Sequence, residues 1–212
     1  MLKKFTLTEL LIIIAIIGIL CTLLMPSLSN ARKRSLQVVC MNNQKQIYTA
    51  VIGYQMDNNF FAPYDDQPAN VRWHQRLISE YLPQSSESFM SSDILECPEA
   101  EKIDAKWQSG IAINAYASGA PDIGNWYTPV PLLHFLENEA MILMDSFDNW
   151  CRIRNGYMAE DKMLNSAENI RIARHLLKAN VTYLDGTIKS REPSHLLSKT
   201  SAFSTFWSTK GL

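Results

Sequence analysis

Between Leu10 and Met25 the chain runs sixteen residues without a charge, and Pro26 ends the run. Only Ala15, Gly18, Cys21 and Thr22 dilute its Leu, Ile and Met. Extended back to Phe5, the stretch reaches 21 residues, about the length a helix needs to cross a bilayer. No other segment comes near it. A secretory signal peptide would also begin with a basic pair such as Lys3-Lys4, but its apolar core is shorter and ends at a small-x-small cleavage site. Here Ser29 and Ala31 are the small residues on offer. Glu9 argues against that reading: a carboxylate in an apolar span costs about 2.5–3.5 kcal/mol at mid-bilayer and less near the interface. A disposable signal has no reason to carry it.

Charge does not orient the span. Lys3 and Lys4 favour an inside N-terminus, yet Arg32, Lys33 and Arg34 follow on the other side, against the positive-inside rule. Beyond Pro26 the helical period continues. Leu28, Leu36, Val39, Cys40, Ile47, Val51 and Tyr54 fall on one face, with Arg32, Lys33, Asn42, Gln44 and Lys45 elsewhere. One helix is expected over 5–56, in membrane over 5–26 and amphipathic beyond, closed by Asp57-Asn58-Asn59. Pro26 removes one helical N–H and should kink or locally melt it.

Residues 57–190 are enough for one compact domain, with 191–212 as a C-terminal extension and 1–4 as a short basic leader. A net charge of −1 offers no field for nucleic acid. Turn formers crowd 57–70 and 119–125. Three runs read as strands: 109–115, 140–145 and 179–190, the last a hairpin turning at Asp185-Gly186 with β-branched residues on either side. Residues 164–177 mix short helix and loop, and nothing in the chain repeats.

The candidate chemistry is sparse. There is no Gly-x-Ser-x-Gly, no His-Glu-x-x-His and no phosphate-binding glycine loop, so no enzyme is expected. His175 and Asp185 lack the further ligands of a zinc site, and none of His74, His134 or His195 stands at ligand spacing from them. No metal is expected; calcium at Asp65-Asp66 or Asp145/Asp148 is the nearest alternative, without EF-hand spacing. Of four cysteines, Cys21 lies in the span. Cys40, on the apolar helix face, points at the domain, where Cys97 can meet it. Outside the cytoplasm that pair can oxidise, closing a loop worth about 4 kcal/mol in the chain-entropy account. Cys151 is left over, as a buried thiol or an alternative partner.

Phe5-Thr6-Leu7-Thr8-Glu9-Leu10-Leu11, followed by Ala15-Ile16-Ile17-Gly18-Ile19-Leu20, resembles the N-terminus of type IV prepilins and of the pseudopilins of type II secretion. In that family a basic leader is cut before a Phe, which is then N-methylated; Glu follows four residues later and Pro seventeen beyond the Glu. Phe5, Glu9 and Pro26 hold those places. The resemblance implies an α+β, pilin-like fold, with the long helix packed on an antiparallel β-sheet. It also implies prepilin peptidase, other pilin or pseudopilin subunits and membrane lipid as partners. Location would be the bacterial inner membrane, single-pass, N-terminus cytoplasmic and C-terminal domain periplasmic or at the cell surface. Glu9 would meet the free amine of a neighbour's Phe5. Lys4 departs from the family, which has Gly before the cut, and an uncleaved Lys4 would be placed to pair with Glu9 instead.

His175, nine residues, then Asp185-Gly186 is similar to a His-x9-Asp-Gly signature in a large group of prepilin-like proteins. Cys40-Met-Asn-Asn-Gln-Lys-Gln, Cys97-Pro98, Ile113-Asn114 and Met144-Asp145-Ser146 resemble the same group in order. Asp185 is expected to begin the turn and His175 to pack or cap nearby. Two function classes remain. One is a structural subunit of a pilus-like or pseudopilus filament. The other is a non-assembling, membrane-anchored binding domain, for glycan for example, using aromatics such as Trp73, Trp107, Trp126 and Trp150.

Overall fold

The structure, a computed structural model, describes residues 6–59, 65–66, 71–82, 93–99, 110–114, 141–145, 152–153, 173–192 and 194–195. Helix α1 runs Leu7–Asn58, 52 residues or about 78 Å at 1.5 Å per residue. Thr6 caps it. Its hydroxyl accepts the Glu9 N–H at 3.3 Å, while Glu9 Oε2 accepts the Thr6 N–H at 2.8 Å and the Thr6 hydroxyl at 2.7 Å. This reciprocal box satisfies donors that a helix start leaves open. At the far end Asn59 takes φ 64° and its N–H bonds the Gln55 carbonyl at 2.8 Å, as a left-handed cap does.

Pro26 does not melt the helix, which continues unbroken through it. Nearby hydroxyls turn inward on the helix's own carbonyls: Thr22 donates to Ile19 at 2.8 Å and Ser27 to Leu24 at 2.9 Å. Every large apolar residue from Leu7 to Leu28 is exposed. No stripe is buried there, so this half is apolar all round.

The second half of α1 is the spine of the domain. Cys40, Gln44, Ile47, Ala50, Val51 and Tyr54 are buried. Two expectations fail on this face. Leu28 and Val39, placed on it by period, are 71% and 45% exposed. Leu28 precedes the first contact with the sheet, made by Gln37 on Asn180 and Ser190, and Val39 is turned about 100° around the helix from buried Cys40. Gln44, placed off it, is fully buried.

A two-stranded ribbon joins β1 (Asp65–Asp66) to β2 (Val71–Arg72), and α2 (Trp73–Glu80) follows directly. Sequence patterning placed loops over 57–70 and assigned no element to 71–80. The Asp65-Asp66 pair thus lies in a strand. A short 3-10 turn spans Asp93–Leu95. The main sheet contains β3 (Ile111–Asn114), β4 (Met141–Asp145), β5 (Arg152–Ile153), β6 (Ala179–Tyr183) and β7 (Ile188–Arg191), in the order β5-β3-β4-β6-β7. All pairings are antiparallel except the short β3–β5 edge. A long apolar helix on a largely antiparallel sheet is the expected α+β class.

Helix α1 packs across β4, β6 and β7. Ile47, Val51 and Tyr54 interlock with Trp73, Leu77, Ile111, Ile113, Ile142 and Leu143 in one core. Each large side chain taken from water there contributes about 1.5–3 kcal/mol. Strands β4 and β6 are buried at every position, so the centre of the sheet is covered on both faces. Trp73 belongs to this core with no exposed surface. It offers nothing to a glycan, and Trp107, Trp126 and Trp150 lie outside the described residues.

The β6–β7 hairpin turns where expected. Only Gly186 takes positive φ, at 77°, with the Gly186 N–H on the Tyr183 carbonyl and the Tyr183 N–H on Thr187, both at 2.9 Å. Asp185 Oδ1 accepts the Thr187 N–H at 2.8 Å and its hydroxyl at 2.7 Å. The turn docks on α1: Tyr48 donates to the Leu184 carbonyl at 2.7 Å and Lys45 to the Gly186 carbonyl at 2.9 Å.

Candidate functional site

Where the spine meets the sheet, polar and sulfur groups gather in a buried cluster. Cys40 and Gln44, one helical turn apart, aim at the sheet from α1. Asp145 ends the central strand β4, and Asn180 lies beside it in β6. Cys97 follows the 3-10 turn on a segment pressed against Gly110. A Cβ at Gly110 would stand 2.5 Å from the Cys97 nitrogen, so only glycine lets the two backbones meet. The Gly110 N–H bonds the Leu95 carbonyl at 2.9 Å and fixes that approach.

His175 is delivered by a tight turn just before β6. His175 and Lys178 exchange both main-chain bonds, at 3.2 and 3.0 Å, and the residues between them, Leu176 and Leu177, both have positive φ (52° and 64°). Two-residue hairpin turns of this kind normally use Asn-Gly. Leucine there stores strain of about 1–3 kcal/mol per residue.

The side chains converge. The Cys97 sulfur is 3.2 Å from His175 Nε2, and one ligand atom each of Cys40, Cys97 and His175 lies within 4.8 Å of the other two. The Cys40 thiol donates to Asp145 Oδ1 at 3.2 Å, as does the Gln44 amide at 2.8 Å. The Asn180 N–H donates to Asp145 Oδ2 at 2.7 Å, and His175 Nε2 is 3.5 Å from that oxygen. On the other side of the ring, Nδ1 is 2.7 Å from Glu99 Oε2. That pair is close enough for an ion pair, although the ring N–H points off the oxygen. Gln44 is saturated: it also donates to the Asn180 carbonyl at 3.2 Å and accepts the Thr182 hydroxyl at 2.8 Å.

Burial and proximity move the ionisations. The neighbouring Cys40 thiol and a hydrogen bond with His175 outweigh burial at Cys97 and bring its thiol down to about 4. The proximity of Cys97, with burial and Asp145, drives the Cys40 thiol up. Burial pushes Asp145 up to about 6 against the pull of His175 and Arg174. Burial disfavours charge on His175, but its bond with Cys97 and the carboxylates of Asp145 and Glu99 win, so its pKa rises. Both shifts favour the charged forms, a thiolate beside an imidazolium. Such a pair is a nucleophile where substrate can reach it. Here Cys40, Asp145 and His175 have no exposed surface and Cys97 has 3%.

No family model, curated protein or solved structure matches the chain.

Among residues singled out by sequence, Cys40 and Cys97 are brought together, as free thiols rather than bonded. His175 joins them. Asp185 and Gly186 do not: they shape the far turn of the hairpin. The segments around Cys40, Cys97, Asp145 and His175, each noted for its resemblance, meet at this cluster. Glu9 and Pro26 lie on α1 in its apolar half. Lys4, Phe5, Cys151, His134 and Asp148 lie outside the described residues. Sequence reading missed Gln44, Glu99 and Asn180. The signal for Gln44 was available in its place one turn from Cys40, on a helix face that polarity alone disqualified.

Proposed function

We propose that this chain is a non-enzymatic structural subunit of a type IV pilus-like or type II secretion pseudopilus filament, held in the bacterial inner membrane before assembly. One observation carries this reading. A single unbroken helix is exposed and apolar all round in its first half and forms the spine of the folded domain in its second. A simple anchor needs no rigid continuity with the domain it tethers. A subunit that packs helix against helix in a filament core does, and an all-round apolar surface suits lipid before assembly and neighbouring helices after it. Phe5, Glu9 and Pro26 stand in the register of prepilins and pseudopilins, which supports prepilin peptidase and other pilins as partners, with the N-terminus cytoplasmic and the domain outside.

A second reading has its own observation. Thr6 satisfies the Glu9 carboxylate within the same chain, as a lone membrane-anchored binding domain requires. The mature N-terminus separates the two. Mass spectrometry of the protein from its native membrane should find an N-methylated Phe5; an intact Met1 would favour the anchor.

A further inference from the structure

The cluster beneath α1 is arranged as a metal site. We propose that Cys40, Cys97 and His175, with Asp145 as the fourth ligand, bind one zinc ion that pins the spine helix to the sheet. Four-coordinate zinc at 2.3 Å from sulfur and 2.0–2.2 Å from nitrogen or oxygen sets its ligands roughly 3.3–3.8 Å apart. Both sulfurs and one ring nitrogen lie within 4.8 Å of one another, with Cys97 3.2 Å from His175 Nε2. Asp145 borders this trio through its two oxygens separately, Oδ1 3.2 Å from Cys40 and Oδ2 3.5 Å from His175 Nε2, so its carboxylate must turn to present one oxygen as the fourth ligand. Small shifts of buried side chains reach the tetrahedron.

The surroundings fit the same conclusion. A zinc-bound histidine commonly directs its other ring nitrogen at a carboxylate, which fixes the tautomer and raises its basicity. Glu99 Oε2 stands 2.7 Å from Nδ1, the right distance though off the line of the ring N–H. Asp145 is positioned independently by Gln44 and by the Asn180 N–H. Two thiols, an imidazole and a carboxylate favour zinc over the hard cations, which take oxygen. Full burial of Cys40, Asp145 and His175 leaves no open coordination position for substrate, so the site is structural. In sequence it is invisible as a zinc motif because the ligands come from α1, the segment after the 3-10 turn, β4 and the turn before β6. Bound zinc also occupies the two thiols that would otherwise form a disulfide.

The test uses the full chain in detergent, purified without chelator, as wild type and as a Cys21→Ser, Cys151→Ser variant that keeps only the two site thiols. Elemental analysis should find about one zinc per chain in both. Cobalt(II) exchange should give thiolate-to-cobalt charge transfer and the visible bands of a tetrahedral site. In the two-thiol variant, alkylation should be slow until chelator is added. Glu99→Gln, which removes no ligand, should weaken zinc about 10- to 100-fold while Cys97→Ser abolishes stoichiometric binding. Because Cys97→Ser also removes a buried core side chain and can unfold the domain, the wild-type cobalt spectrum decides. A Cys40–Cys97 disulfide with no bound metal, an octahedral cobalt spectrum, or zinc retained by Cys97→Ser would overturn the proposal.

Discussion

The side-chain amide of Gln44 donates to Oδ1 of Asp145 at 2.8 Å, fastening the spine helix to the central strand. Both residues are fully buried, and the same glutamine holds the Asn180 carbonyl and the Thr182 hydroxyl. One uncharged side chain therefore satisfies three groups across two strands.

Its removal should be felt throughout the domain. Gln44→Leu keeps most of the volume but strands a buried carboxylate, a carbonyl and a hydroxyl. Bonds to charged groups contribute about 1.5–3 kcal/mol, so the variant should lose roughly 2–3 kcal/mol in urea unfolding. Gln44→Glu sets a second carboxylate against Asp145 and should lose more.

Gly186→Ala should destabilise through two effects at once. The residue has φ 77°, and an added Cβ would lie 2.8 Å from Tyr48 Cε1. The left-handed conformation costs an L-residue about 1–2 kcal/mol, and moving Tyr48 threatens its bond to Leu184. A loss of about 2 kcal/mol is expected, measurable as a lower denaturation midpoint.

The turn that presents His175 can be improved. Replacing Leu176-Leu177, at φ 52° and 64°, by Asn-Gly relieves backbone strain of about 1–3 kcal/mol per residue. It also removes the 70% exposed side chain of Leu177. The double variant should unfold at higher denaturant with its hairpin unchanged. Lower stability would mean that the leucines pack usefully.

Helix α1, the hairpin and the α+β class were legible because their signals are local: an apolar run, an Asn-rich stop, Asp-Gly between β-branched residues. Gln44, Glu99 and Asn180 were not, because a buried polar residue is recognised only by partners far along the chain. Gln44 meets Asp145 and Thr182 across sequence separations of 101 and 138. Helix α2 was hidden by the turn formers before it. His175 was legible as a marked residue and illegible in role, since the thiols beside it come from other elements.

Asp185 gives a pH-dependent test of the hairpin. Its main-chain and hydroxyl bonds from Thr187 hold its carboxyl below the usual range. A carboxyl lowered on folding stabilises above its unfolded pKa, near 3.8, and that contribution fades as pH falls through the lower folded value. The group is exposed, so solvent screens it. Asp185→Ala should cost about 1 kcal/mol or less at neutral pH, and the gap to wild type should narrow below about pH 4. A gap constant with pH would contradict this account of the turn.

The filament reading turns on whom Glu9 serves. Within one chain it completes the Thr6 cap, which Thr6→Ala weakens by about 0.5–2 kcal/mol. In a filament it would also take the amine of a neighbour. Site-specific crosslinking between apolar helices in native membranes, comparing wild type, Thr6→Ala and Glu9→Leu, separates the roles. The filament account predicts strong crosslinking for wild type and Thr6→Ala, and its loss for Glu9→Leu with membrane insertion intact. Equal crosslinking by all three would contradict it.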